Sequence, residues 1–256
     1  MTRWADAVAA AGGQSTFVPV GELTGQIGDW EEAVGNNNKP AALAGLVEAA
    51  VSLPAAIPPD GELRWQGGST ATVRLISAQQ ALSELKADGS GSCPECVPLQ
   101  ITAARLTSGP VQTSRGLAEA PVWEFTLKGT AVLLTRVAIA DRVTLVPPPW
   151  DSNNPPVGIS IDSATGTVGG RQLTVDFTGA PAPGDQPCGA DYAAEAVESP
   201  TAVAVIVTEH PHSAFGEACT AVGARRTAEV ELSAPLGERA VLEVREGLPV
   251  AVLLTG

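Results

Sequence analysis

The chain has 256 residues, 44% hydrophobic and 17% charged, with a formal net charge of −13 and a sequence pI near 4.5. That length allows one large or two small domains with real cores. The acidity argues against binding to nucleic acid or an anionic membrane, because Arg225 and Arg226 form the only adjacent basic pair.

In chain order, Thr2 to Ala11 reads as a short helix and Phe17 to Val20 as extended chain. Trp30 stands beside Asp29, Glu31 and Glu32. An aromatic next to carboxylates is the chemistry of a saccharide site, where sugars stack and acid groups flank the scissile bond. The competing reading is that Trp30 is a packing anchor. Pro40 to Leu53 reads as a helix, with Pro40 in its first turn and Leu43, Leu46, Val47 and Ala50 on one face. Pro54 ends it. Residues 1–60 are thus expected to form an N-terminal helical arm.

From Gly61 the apolar period changes to two. Residues 61–147 are expected to form a first β-unit with one helix. Val73 to Ile76 suggests a strand, followed by a helix over Ser77 to Ala87, with Ser77 and Gln80 at capping-box spacing and Gly89 as the stop. Strands are expected at Leu99–Leu106, Val111–Ser114, Val122–Leu127 and Ala131–Ala140. Trp123, Phe125 and Leu127 alternate with Glu124 and Thr126, as in a half-buried antiparallel strand. Residues 148–157, which include Trp150, form a Pro-rich connector.

A second β-unit is expected over 158–256, with strands at Leu173–Phe177, Ala202–Thr208, Ala228–Leu232, Ala240–Val244 and Val250–Leu254. Gly166 to Gly170 reads as a turn, since it lacks the Lys-Ser/Thr of a phosphate-binding loop. The fold class is mainly β, with α+β as the alternative: two antiparallel β-units behind a small helical arm. Glu124–Leu127 followed by Ala131–Leu133 resembles Glu229–Leu232 followed by Ala240–Leu242. Either the units are copies of one another, or Ala- and Val-rich strands align by chance.

The cysteines are Cys93, Cys96, Cys188 and Cys219, which allow three pairings. The favoured scheme is a local Cys93–Cys96 clasp and a longer Cys188–Cys219 staple, the latter contributing ~3 kcal/mol. Two alternatives compete with it. A thioredoxin-like dithiol needs a helix starting at Cys93, which Pro98 opposes. A zinc site of Cys93, Cys96, His210 and His212 has suitable cysteine spacing, but its histidines are closer than the usual separation of about three to five residues.

His210 and His212 are the only histidines, and they follow a predicted strand in Glu209-His210-Pro211-His212. Any histidine-based catalysis must use them, with Glu209 able to tune a neighbouring pKa. Ser213 lies close, but no G-x-S-x-G elbow is present. The plain reading is two histidines on a polar turn.

Gly25–Glu31, Asn36–Lys39, Gln112–Gly116, Pro121–Phe125 and Gln186–Tyr192 together resemble a family of uncharacterised secreted proteins and lipoproteins of high-GC actinobacteria. The resemblance covers nearly the whole chain. It implies export after a leader peptide, with lipid anchoring as an option, and it supplies no catalytic residues. The stretch from Met1 to Asp6 holds neither a signal-peptide hydrophobic region nor a cysteine for a lipid anchor. Taken literally, that start says cytoplasmic, but paired cysteines agree with the export that the resemblance implies and point towards an oxidising compartment. The expectation is therefore a secreted or envelope-facing, non-enzymatic binding module without a cofactor, whose partner is a protein or a saccharide. The alternatives are a hydrolase using His210 or His212, and a metal-binding protein.

Overall fold

The computed structural model describes residues 1–13, 15–30, 38–149, 151–153, 157–212, 219 and 221–256. Strand accounts for 45% of the described residues and helix for 11%, so the protein is mainly β. In chain order the elements begin with α1 (Thr2–Ala10), β1 (Thr24–Ile27), α2 (Asn38–Leu43), β2 (Val47–Ala49), β3 (Gly61–Trp65), β4 (Thr70–Val73) and α3 (Ala78–Ala87). Next come β5 (Leu99–Thr113), β6 (Gly116–Leu127), β7 (Leu133–Val137), β8 (Ile161–Thr167), β9 (Gln172–Gly179) and β10 (Ala182–Pro183). The last five are β11 (Gly189–Glu198), β12 (Ala202–Pro211), β13 (Ala224–Glu231), β14 (Ala240–Leu242) and β15 (Pro249–Thr255).

Two compact units result, and neither is continuous in sequence. The larger comprises residues 1–20, 112–117 and 142–256; the smaller comprises 21–111 and 118–141. The arm expected over residues 1–60 is divided between them. Its first 20 residues belong to the larger unit, where Trp4 and Val8 of α1 are buried with Val18, Val143 and Leu242, and the Trp4 indole N–H donates to Thr201 Oγ1 at 3.0 Å.

The smaller unit is a sheet in the order β1-β7-β6-β3-β4, with β5 on β6 and β2 on β5. β2 runs parallel to β5. α3 buries Ala78, Ala81, Leu82 and Leu85 in a core shared with Ile101, Trp123, Phe125 and Leu127. Its N-cap is the one expected: the Gln80 N–H donates to Ser77 Oγ at 3.2 Å. The strands expected over Leu99–Leu106 and Val111–Ser114 are one continuous β5, half of a long hairpin with β6.

The helix expected over Pro40–Leu53 stops at Leu43, and Val47 to Ala49 is strand. Gly45 is the cause. It takes a φ of +68°, and the Leu46 and Gly45 N–H groups donate back to Ala41 O and Ala42 O, at 2.9 and 3.0 Å. This is the Schellman closure of a helix C-terminus. The expected role of Gly89 also changes. Asp88 caps α3 in a right-handed helical conformation, and a Cβ on Gly89 would lie 2.6 Å from the backbone of Ala44 and Gly45. Gly89 therefore permits close packing and does not supply a left-handed turn.

The larger unit is a sheet in the order β10-β11-β12-β14-β15-β8-β9-β13. Three of its pairings are parallel: β10 with β11, β12 with β14, and β15 with β8. It is thus a mixed sheet where an antiparallel one was expected. Its core contains Val175, Phe177, Val203, Val205, Val230 and Val241.

The segments suggested as repeats pair differently in the two units. Thr126 to Val122 of β6 pairs with β7. β13, by contrast, pairs with β9, and β14 pairs with β12 and β15. The similarity is one of composition. β11 also packs against β13, so the two ends of the larger sheet meet along a seam.

A candidate site at the seam of the larger sheet

β11 and β12 pair antiparallel in a register that sets Asp191 opposite His210, Tyr192 opposite Glu209 and Ala190 opposite Pro211. Strand alternation therefore places Tyr192 and Glu209 on one face, and Asp191 and His210 on the other. Facing the seam, the Tyr192 ring meets Phe177 edge-on, with centroids 4.8 Å apart at 66°. Its hydroxyl donates to Glu209 Oε1 at 3.0 Å and accepts the Ala180 N–H. A Cβ on Gly179 would lie 2.4 Å from that hydroxyl, so glycine is what lets the ring approach.

Burial raises the Tyr192 phenol above its ordinary pKa, the neighbouring Glu209 carboxylate adds to the rise, and the Ala180 N–H opposes it. Arg226 of β13 donates from Nε to Ala180 O at 2.8 Å. Its buried Nη2 has no hydrogen-bond partner among the described residues.

On the other face, His212 Nε2 lies 2.9 Å from Asp191 Oδ2. The His212 backbone N–H donates to Gly189 O at 3.0 Å. Both side chains are exposed, at 47% and 68%, so their attraction is screened by solvent. His210 is exposed opposite Asp191.

Cys188 bonds to Cys219, which joins the start of β11 to the segment leading into β13. Cys188 has a φ of +56°, uncommon for a residue with a Cβ. Beside it is a pocket of about 290 Å³, lined among others by Ala180, Pro181, Cys188, Glu209, Pro211 and Val222. Glu209 is the one charged residue of that lining among the described residues.

Cys93 and Cys96 are bonded to each other across a turn in which the Cys96 N–H donates to Cys93 O at 3.0 Å. No helix begins at Cys93, so the dipole that would activate a thioredoxin-type thiol is not built there. This pair belongs to the smaller unit and His210 and His212 to the larger, and the two sulfurs are committed to each other. Among the described residues, no group of three or more His, Cys, Asp or Glu is placed to hold a metal.

Trp30 is half-buried against the core of the smaller unit, and its indole N–H donates to Gln26 Oε1. That is the contact pattern of a packing anchor. Glu31, Glu32, Trp150 and Ser213 lie outside the described residues.

The site thus joins Glu209, which the sequence singled out, to Tyr192 and Arg226, which it did not. Asp191 is likewise new. One signal was available: Tyr192 is the only tyrosine in the chain, four residues after a cysteine. Chemically, the arrangement offers an acidic group in an apolar wall and an imidazole–carboxylate pair on the outer face. The chain matches no protein-family model, and no curated protein or solved structure is significantly similar to it.

Proposed function

We propose that this protein is an exported, non-enzymatic binding module that engages a protein segment or a saccharide at the Glu209 pocket of the seam. The observation that carries the reading is the Cys188–Cys219 disulfide, which forms part of the pocket wall beside Glu209. A disulfide in a ligand-sized concavity fits a protein that works in an oxidising compartment. All four cysteines are paired, and among the described residues no helix is long and apolar enough to cross a membrane. The net charge of −13 favours partners other than nucleic acid.

The test is to probe peptide and glycan arrays with the wild-type protein and with Glu209→Lys. Hits lost in the variant support the site; hits kept at full strength move the binding surface elsewhere. Alkylation of the protein recovered from medium, envelope and cytosol tests the compartment. Unreactive cysteines in an extracellular fraction support export, whereas an alkylatable cytosolic pool overturns it.

One observation favours a second reading. The 2.9 Å contact between His212 and Asp191 is the base–orienter half of a hydrolytic site. Turnover on a chromogenic ester panel that disappears in both His212→Ala and Asp191→Asn would select this reading over the first. Activity unchanged by both substitutions would remove it.

A further inference from the structure

We infer that the Cys188–Cys219 disulfide is a redox latch on the free end of the β11–β12 hairpin, and that reduction by a dithiol releases that end from the seam. The hairpin is held very differently along its length. Towards its turn, Ala202 to Ala204 pair with β14, and Val203, Val205 and Val207 are buried in the core. Ile159 makes a last bridge to Val207.

Beyond Val207 the support thins. Thr208, Glu209, His210 and Pro211 are exposed, and their strand partners are the β11 residues Ala193 to Ala190. On the β11 side, the two-residue β10 pairs only with Gly189 and Ala190. This end is tied to the rest of the unit by the packing of β11 against β13, by the Tyr192 contacts with Phe177 and Ala180 and by the disulfide, whereas the Tyr192–Glu209 bond lies within the hairpin.

Cys219 is exposed and Cys188 half-buried, so a thiolate can reach the bond. The step balances as a thiol–disulfide exchange. A dithiol thiolate attacks the Cys219 sulfur and displaces the Cys188 thiolate, which takes up a proton. The second thiol of the reagent then displaces Cys219, leaving two protein thiols and one reagent disulfide. Because the disulfide also lines the Glu209 pocket, opening the latch changes the pocket wall. The latch follows from the seam's geometry and does not depend on which ligand the pocket takes.

The experiment compares amide hydrogen exchange in the oxidised protein, in the Cys188→Ser/Cys219→Ser variant and in a Cys93→Ser/Cys96→Ser control. The expected result is at least a tenfold faster exchange over 189–193 and 208–212 in the first variant, with 202–207 still protected and the control unchanged. Second-derivative absorbance of the single tyrosine should move towards the solvated spectrum in the same variant, and in wild type treated with dithiothreitol. Unchanged exchange at 189–193 and 208–212 would overturn the latch. So would loss of protection across the whole larger unit, which would make the bond a global staple.

Discussion

Arg136 is 2% exposed, yet it carries a charge into the smaller unit beneath α3. Its guanidinium holds Asp88 at the end of α3, Glu84 at 3.1 Å one turn earlier, and Thr24 Oγ1 of β1 at 3.0 Å. The burial is one-sided, since the partner side chains are 20% and 51% exposed. That asymmetry predicts which variants hurt. Neutralising both carboxylates with Glu84→Gln and Asp88→Asn strands a buried cation and should cost about 3 kcal/mol. Arg136→Met removes the buried charge and leaves the carboxylates near water, so it should cost about 1 kcal/mol or less. Denaturant midpoints read both; equal losses would refute the one-sided account.

Glu198 gives a pH-dependent counterpart in the larger unit. Arg239, and then the Ser233 N–H, hold its carboxyl from an ordinary 4.5 down to about 2. A depressed folded pKa means that the unfolded chain takes up the proton first. The stabilisation is therefore complete above about pH 4.5 and is lost as pH falls towards 2. Glu198→Gln should flatten stability against pH in that window and leave the slope at neutral pH unchanged. An unaltered acid limb would remove Glu198 as its source.

At the scale of elements, what could be read in the sequence was what is decided locally. The Ser77 cap lies three residues from its donor, and α3 begins where the spacing said it would. α1 and the strand at Trp123–Leu127 were legible for the same reason. The end of α2 was not, because Gly45 answers to a distant segment as well as to its own helix: a Cβ there would sit 2.5 Å from Lys86 O. The apolar face of Leu43, Leu46, Val47 and Ala50 suits a helix, but the chain turns at Gly45 and gives Val47 to a strand.

Gly45→Ala should therefore cost more than left-handed strain alone, about 2 kcal/mol or more against ~1 kcal/mol for strain. Gly12→Ala is the control, since Gly12 has a φ of +79° with nothing within 4 Å. If thermal or denaturant unfolding finds the two variants equally destabilised, the packing contribution is absent. The site follows the same rule. Glu209, His210 and His212 were visible as polar residues after an apolar run. Asp191 and Tyr192 reach them only through the β11–β12 register, which the rest of the sheet decides.

At the scale of the molecule, the larger unit is assembled from three separate stretches, and that has a direct consequence for cutting the chain. Residues 142–256 contain every strand from β8 to β15 and look self-sufficient in sequence. They lack α1, whose Trp4 and Val8 fill the cluster around Val143, Ala202 and Leu242. They also lack the hairpin tip, where the Ser114 N–H donates to Val18 O at 2.9 Å and the Val252 N–H donates to Ser114 O at 3.2 Å. Removing two buried apolar side chains from a shared cluster forfeits about 3 kcal/mol or more, a large fraction of the roughly 5–15 kcal/mol that holds a domain together.

The isolated 142–256 fragment should accordingly give a poorly dispersed amide NMR spectrum even with Cys188–Cys219 oxidised. Adding a peptide of residues 1–20 should restore part of the dispersion, because α1 docks with its own buried residues. A well-dispersed spectrum from the fragment alone would show that the α1 cluster and the hairpin tip are accessories to a unit that already folds.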